Sequence, residues 1–345
     1  MPAVSTLHNA YSKENFQCIK GYLALLVLVH HLYLFTGFLS DTPLGHILYT
    51  LGHWAVVVFM FFSGYGLFIS YLEKGKAYIF SFAGRRLLPL YLTYVFFVAI
   101  YYVYNLINNI PMNIYTILHS LTIGSTIVSF GWYFKLTVLL YIIFMVVGLL
   151  SKSSKTFLWS VTLILYCYVI AYFFLSWHKE LYEPVILFLA GMHVAALEHK
   201  RKCLVSKKPV LFLFISLPSF AAYTIAYTLI LYRHGNLLDT PCPIDFLYLA
   251  LMALSDLSLV IVVLSFTSIC SERIPKLICN PVSSFCGTYS LEIYAIQGLV
   301  LSLFYTKIGN LVIFASVAAF VTIVISIPIH AFLKYSKQII VGKIS

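Results

Sequence analysis

Long apolar runs separated by short polar breaks dominate this chain. Ten such runs lie near residues 19–39, 47–71, 87–108, 130–150, 157–177, 183–198, 209–232, 246–270, 286–306 and 309–333. A helix crosses the hydrocarbon core of a bilayer with roughly 20 residues. Lipid offers no partner to a backbone N–H or C=O, so a spanning run must satisfy its own backbone as an α-helix. The pattern therefore predicts an all-α, polytopic membrane protein with about ten transmembrane helices. A further stretch, 112–128, is shorter and holds His119, Gly124 and several Ser and Thr. It is expected to lie at the interface or to re-enter the membrane on the outer side.

The polar breaks give the orientation. Cytoplasmic loops collect Lys and Arg. With ten spans and the N-terminus inside, 18 of the 22 Lys and Arg fall on the cytoplasmic side, leaving only Lys135, Lys179, Arg233 and Lys307 outside. Counting 112–128 as a span would scatter the later basic loops to the other face. Both termini are thus expected in the cytoplasm. The longest outer loop, around Arg233 to Asp245, holds Gly235, Pro241 and Pro243 and reads as a turn-rich connection.

Composition agrees and removes some alternatives. The 345 residues are 61% hydrophobic and only 10% charged, against roughly 25% charged in soluble domains. The net charge of +11 would suit a nucleic-acid binder. Here the basic residues sit in short loops between apolar runs, and nucleic acid is excluded as a partner. No short apolar stretch ends in a small-residue cleavage site, so the first run is expected to be an uncleaved helix. The seven cysteines form no CxxC pair and no metal-type spacing, which predicts neither a disulfide framework nor a metal site. Residues 1–345 read as a single transmembrane domain without an appended extracytoplasmic domain.

Polar residues at helix depth are the informative ones, because they are costly there and usually face a cavity or each other. Lys20 and His31 lie 11 residues apart in the first run, within roughly 20° of one helix face and about 16 Å apart along the axis. His30 points about 80° away. Arg85 and Arg86 precede Pro89 and Tyr91 at the entry to the third run; a guanidinium binds phosphate through a planar fork of donors. Trp132, Tyr133 and Lys135 open the fourth run. Asp256 and Glu292 place carboxylates inside later runs, where each needs a partner. Plainer readings exist for all of these: basic residues as cytoplasmic anchors, aromatics as an interfacial belt, Lys135 snorkelling outward, and Asp256 as a structural bond between helices.

Taken in order, these segments resemble the acyltransferase-3 family of membrane-bound O-acyltransferases. Lys20-Gly21 followed by an apolar run and His31 is similar to that family's opening motif. Val58 to Tyr65, with Ser63-Gly64, resembles its second-span pattern, and Arg85 to Tyr91 its third-span entry. Trp132 with Tyr141, Phe188 with Gly191, and Gly287 with Ser290 and Tyr294 match later motifs. Two positions depart from the family pattern. The first arginine of an Arg-x-x-Arg is replaced by Ala83, with Arg85 beside Arg86 instead. Gln297 stands where the family often has His, and cannot exchange a proton near neutral pH.

The resemblance implies transfer of an acyl group, usually acetyl, from cytoplasmic acetyl-CoA to a sugar hydroxyl, with no metal. A neutral imidazole suits the activation of a hydroxyl near pH 7. His31 is accordingly the expected general base or, alternatively, an acyl-carrying relay. Lys20, Arg85 and Arg86 are expected to hold the phosphates of the donor. Glu292 is a candidate catalytic residue, orienting an imidazole or binding acceptor; Trp132, Tyr133 and Tyr294 are expected to line the acceptor side. The implied partners are acyl-CoA, a glycan or lipid-linked sugar, membrane lipids and, for assembly, a second copy or polysaccharide-assembly proteins. The expected location is the bacterial cytoplasmic membrane. A multi-span transporter or flippase is the alternative; it should carry inverted repeats and broken helices, and no internal repeat is visible.

Overall fold

The computed structural model describes residues 12–122, 125–175, 179–200, 205, 207–234 and 243–341. The loop expected around Arg233 to Asp245 lies mostly outside them, as do Gly124, Arg201, Lys202 and Lys343. Among the described residues there are helices and no strands. In chain order they are α1 Lys13–Thr36, α2 Pro43–Lys74, α3 Lys76–Phe80, α4 Leu88–Ile107, α5 Ile114–Leu121, α6 Trp132–Leu150, α7 Ser154–Phe174, α8 Glu183–His199, α9 Pro209–His234, α10 Pro243–Arg273, α11 Pro275–Ile278, α12 Pro281–Thr288, α13 Ser290–Tyr305 and α14 Leu311–Val341.

Nine of the described helical segments are long and apolar enough to cross a membrane. The tenth expected span, 286–306, is divided: α12 ends at Thr288 and the apolar α13 has 16 residues. Segment 112–128 forms only α5, eight residues long. At 1.5 Å per residue it reaches about 12 Å, too short to span.

The backbone divides into two compact units that interleave along the chain. Unit 1 contains the described residues up to 23, then 53–75 and 152–287; unit 2 contains 24–52, 76–151 and those from 288 onward. Helices α1 and α2 each pass from one unit to the other.

Unit 1 is held by close backbone approaches at glycine. A methyl group added to Gly64 on α2 would strike the carbonyl of Phe188 on α8, and one added to Gly191 on α8 would strike that of Phe61 on α2. Gly21 on α1 and Gly287 on α12 are in the same reciprocal relation, meeting Ser283 and Gln17. Small residues let spanning helices pack this tightly where lipid removes the usual hydrophobic drive. Ser63-Gly64, Phe188-x-x-Gly191, Lys20-Gly21 and the Gly287 segment are thus packing devices.

Unit 2 is knit by aromatic contacts and lysine caps. Phe82 packs against Tyr141 and Phe144 of α6, and Phe96 of α4 against Phe332 of α14. The Lys76 ammonium donates to the Gly148 and Leu149 carbonyls, both at 2.7 Å. These are among the last carbonyls of α6, which no helical N–H can reach.

Candidate functional site: a buried histidine under an aromatic loop

His31 is buried in unit 2, 5% exposed. Its ring stacks on Phe130 with centroids 3.5 Å apart and planes 9° from parallel. Tyr294 of α13 follows at 6.3 Å. Tyr133 lies 5.3 Å from Tyr294, and Trp132 6.2 Å from Tyr133. Three residues expected to bind acceptor, Trp132, Tyr133 and Tyr294, therefore join His31 in one chain of rings. Gln297 is the polar neighbour of the imidazole. Its Nε2 donates to the Tyr294 carbonyl at 3.1 Å. Its Oε1 and the His31 Nδ1 have no hydrogen-bond partner within bonding geometry among the described residues.

His30 behaves as helical geometry predicts. It faces α2, with Nδ1 3.3 Å from the Leu48 carbonyl and its ring against Gly52.

Phe130 was not singled out by the sequence, and it owes its place to the loop after α5. The Tyr94 hydroxyl donates to the Ser120 carbonyl and shares a 2.7 Å hydrogen bond with Thr126 Oγ1. Tyr91 donates to the Leu121 carbonyl. Ser120 Oγ accepts from the Ile127 amide, and Thr126 Oγ1 from that of Val128. The Lys135 ammonium donates to the carbonyls of His119 at 2.6 Å and Ser125 at 2.9 Å. Phe130 itself has φ +61°, a left-handed conformation that a bulky residue adopts only when its surroundings impose it. Its carbonyl accepts from the Tyr294 hydroxyl. One tyrosine thus holds the backbone whose ring covers the histidine.

The other expected site residues are placed as follows. Lys20 is half-buried in unit 1, on the same helix as His31. Arg85 and Arg86 are exposed in unit 2, in a π-helical turn, Ala83–Leu87, where the Leu88 amide donates to the Ala83 carbonyl. Pro89 follows and has no N–H to give to the Arg85 carbonyl, which favours a widened turn. Such turns are frequent at functional sites. Glu292 is paired with an imidazole, that of His330 on α14, whose Nδ1 is 3.0 Å from Oε1. Tyr289 meets the same ring edge-on at 5.1 Å. Asp256 is in unit 1, with both carboxylate oxygens 3.0 Å from His53 Nε2, a bond between helices as its plainer reading had it. Among the described residues no group of three or more His, Cys, Asp or Glu could hold a metal ion. His53, His330 and Glu183 escaped sequence reasoning. Each is a titratable residue in an apolar run, which was a usable signal, but their partners are distant in the chain.

Comparison with known proteins agrees with the resemblance. No curated protein and no solved structure gives a significant match. The family model of the acyltransferase-3 family, described as an acyltransferase domain, matches residues 14–331. That range holds every spanning helix through most of α14, and includes His31 with the rings around it. The chain belongs to the acyltransferase-3 family and is a multi-pass membrane acyltransferase.

Proposed function

We propose that this protein moves an acyl group, acetyl in the simplest case, from cytoplasmic acyl-CoA to a hydroxyl of a cell-surface glycan or lipid-linked sugar. One observation carries the reading: His31 sits deep in a spanning helix, buried, with Nδ1 free of hydrogen bonds among the described residues. Buried polar atoms are normally satisfied, and an unpaired imidazole nitrogen is one that a substrate can use. As general base, His31 takes the proton of the acceptor hydroxyl while that oxygen attacks the thioester carbonyl and the CoA thiolate leaves. As a relay, it first carries the acyl group itself and then yields it to the hydroxyl.

The basic loops orient the chain with both termini cytoplasmic, which puts Lys20, Arg85 and Arg86 on the donor side. Guanidinium and ammonium groups suit the phosphates of coenzyme A. The rise of about 16 Å from Lys20 to His31 on one helix is comparable to the reach of a pantetheine arm. Trp132, Tyr133 and Tyr294 offer ring faces to a sugar. The location that goes with this reading is a bacterial cytoplasmic membrane, with the basic loops on its inner face.

The test is His31→Ala in membranes supplied with labelled acetyl-CoA. Transfer of label to glycan should be lost. A folded variant that transfers label at the wild-type rate removes His31 from the mechanism.

A further inference from the structure

The first turns of α1 are clasped by the connection 275–287, and two cysteines meet in the clasp. All of it belongs to unit 1. The Tyr22 hydroxyl donates to the Leu277 carbonyl at 2.7 Å and accepts from Asn280 Nδ2 at 2.7 Å. Cys279, between α11 and α12, turns its thiol toward α1. Its Sγ is 3.3 Å from Asn15 Oδ1 and 3.7 Å from the Glu14 carbonyl. Cys18 stands three residues after Asn15 and four after Glu14, on the same helix face. Its thiol is a hydrogen-bonded neighbour of Cys279. Cys18 is 1% exposed, Cys279 is half-buried, and both are free thiols. The backbone contact of Gly21 with Ser283 brings side chains as short as these within reach of each other. A disulfide requires backbones that come this close.

We propose that Cys18 and Cys279 form a thiol-oxidation site: a hydroperoxide converts the pair to a disulfide that fastens α1 to 275–287, and a dithiol reductant releases it. The half-buried Cys279 reacts first and the buried Cys18 resolves, the usual division between an accessible sensor and its partner. Cys279 Sγ bonds one peroxide oxygen as the O–O bond breaks, giving a sulfenic acid; its proton leaves on the other oxygen. With hydrogen peroxide that product is water. Cys18 Sγ then attacks the sulfenic sulfur, the S–S bond forms, and the oxygen leaves as a second water with the Cys18 proton. Two electrons pass from the sulfur pair to the peroxide. A dithiol reverses the link by exchange and is itself oxidised to a disulfide. Burial, then the Cys18 thiol and the Glu14 carboxylate, push the Cys279 thiol up to about 12. Thiolate is the nucleophile, so the pair stays reduced under brief exposure and answers sustained oxidation. With the basic loops inside, it faces a reducing compartment, where disulfides are transient and serve sensing or catalysis. Lys20 lies two residues beyond Cys18, so the link fastens the segment that meets the donor in the acyl-transfer reading. The oxidation itself does not rest on that reading.

The test treats the full chain, reduced and in lipid nanodiscs, with hydrogen peroxide, then blocks remaining thiols and maps peptides by mass spectrometry. A peptide pair joined through Cys18 and Cys279, lighter by two hydrogens than its parts, should accumulate. Dithiothreitol should release it. Its rate of formation should rise about tenfold from pH 7 to pH 8, following the thiolate fraction. Hydrogen exchange in peptides covering 13–23 should slow several-fold on oxidation, because the link suppresses local opening of that end of α1. Cys279→Ser keeps a donor toward Asn15 and should show neither the link nor the slowing; Cys18→Ala is the second variant if that one does not fold. Failure of the wild type to form the link overturns the proposal. So does oxidation that leaves Cys18 and Cys279 joined mainly to other cysteines. Equal exchange in the linked and reduced protein, or equal slowing in Cys279→Ser, overturns it as well.

Discussion

His31 and His53 are both imidazoles inside long apolar helices, and their surroundings are opposite. His53 in unit 1 lies against a carboxylate, with a second carboxylate and a lysine close by. His31 in unit 2 lies against a phenyl ring, with a neutral amide as its polar neighbour. The first arrangement ties α2 to α10. The second leaves a nitrogen able to accept a proton. The same residue type is thus set to different tasks by its neighbours, and substitutions at the two places should fail in different ways.

The largest effect is expected at His31. His31→Gln should lower acyl transfer by about 10²–10⁴-fold if the imidazole is the general base, and abolish labelled enzyme if it is a relay. Thermal unfolding in detergent should barely move, because no carboxylate loses its partner. His30→Gln, whose ring packs on α2 away from Phe130, should keep most of the activity. A His31→Gln protein that is inactive only because it unfolds would erase the contrast between the two histidines.

Next comes stability at the His53–Asp256 pair. Asp256→Ala leaves His53 without its buried partner and should cost about 1–3 kcal/mol, read as a fall in the midpoint of chemical unfolding. The double variant His53→Leu with Asp256→Leu should recover much of that loss, since an apolar pair avoids the desolvation of both groups. If the double variant is no more stable than Asp256→Ala, the pair is not what holds α2 to α10.

A smaller effect separates the two roles of Phe130. Its φ of +61° suits glycine, and left-handed backbone costs other residues roughly 1–2 kcal/mol. Phe130→Gly should therefore be more stable than Phe130→Ala by about 1 kcal/mol, although both lose the ring over His31. Both should also lose acyl transfer to a similar extent. If Phe130→Ala alone is slow, the backbone and not the ring serves His31.

How much of this was legible depends on the range of the signal. Spanning helices are written locally, as runs of apolar residues, so nine of them and the shorter α13 follow from the chain alone. The helical stripe from Lys20 to His31 is equally local, and His30 falls where the 100° rotation puts it. The glycine motifs were legible as motifs but not as reciprocal packing, because each half lies on a different helix. Glu292 was legible as a carboxylate needing an imidazole; the choice of His330, 38 residues on, is tertiary. The π turn before Pro89 has only a weak sequence cue. Phe130 is the clearest failure: nothing in Ser129-Phe130-Gly131 announces that the aromatic, and not the glycine, takes the left-handed conformation.

The smallest expected effect concerns how Phe130 is held in place. The Lys135 ammonium donates to the His119 carbonyl near the end of α5 and to the Ser125 carbonyl of the loop between α5 and α6. The His119 carbonyl already accepts from the Thr122 amide; the ammonium adds a second donor there and also serves the Ser125 carbonyl of the loop. Lys135→Met keeps the length of the stem and removes the donor. Hydrogen exchange in peptides covering 112–131 should speed up by a few-fold, corresponding to about 0.5–1 kcal/mol of lost local stability. Exchange in α7 and α8 of unit 1 should not change. Acyl transfer should fall less than in Phe130→Gly, because Tyr294 still holds the Phe130 carbonyl. Unchanged exchange in 112–131 would mean that the tyrosine bonds from α4 and α13 secure the loop alone, and the cover over His31 would then rest on three hydroxyls and not on a charge.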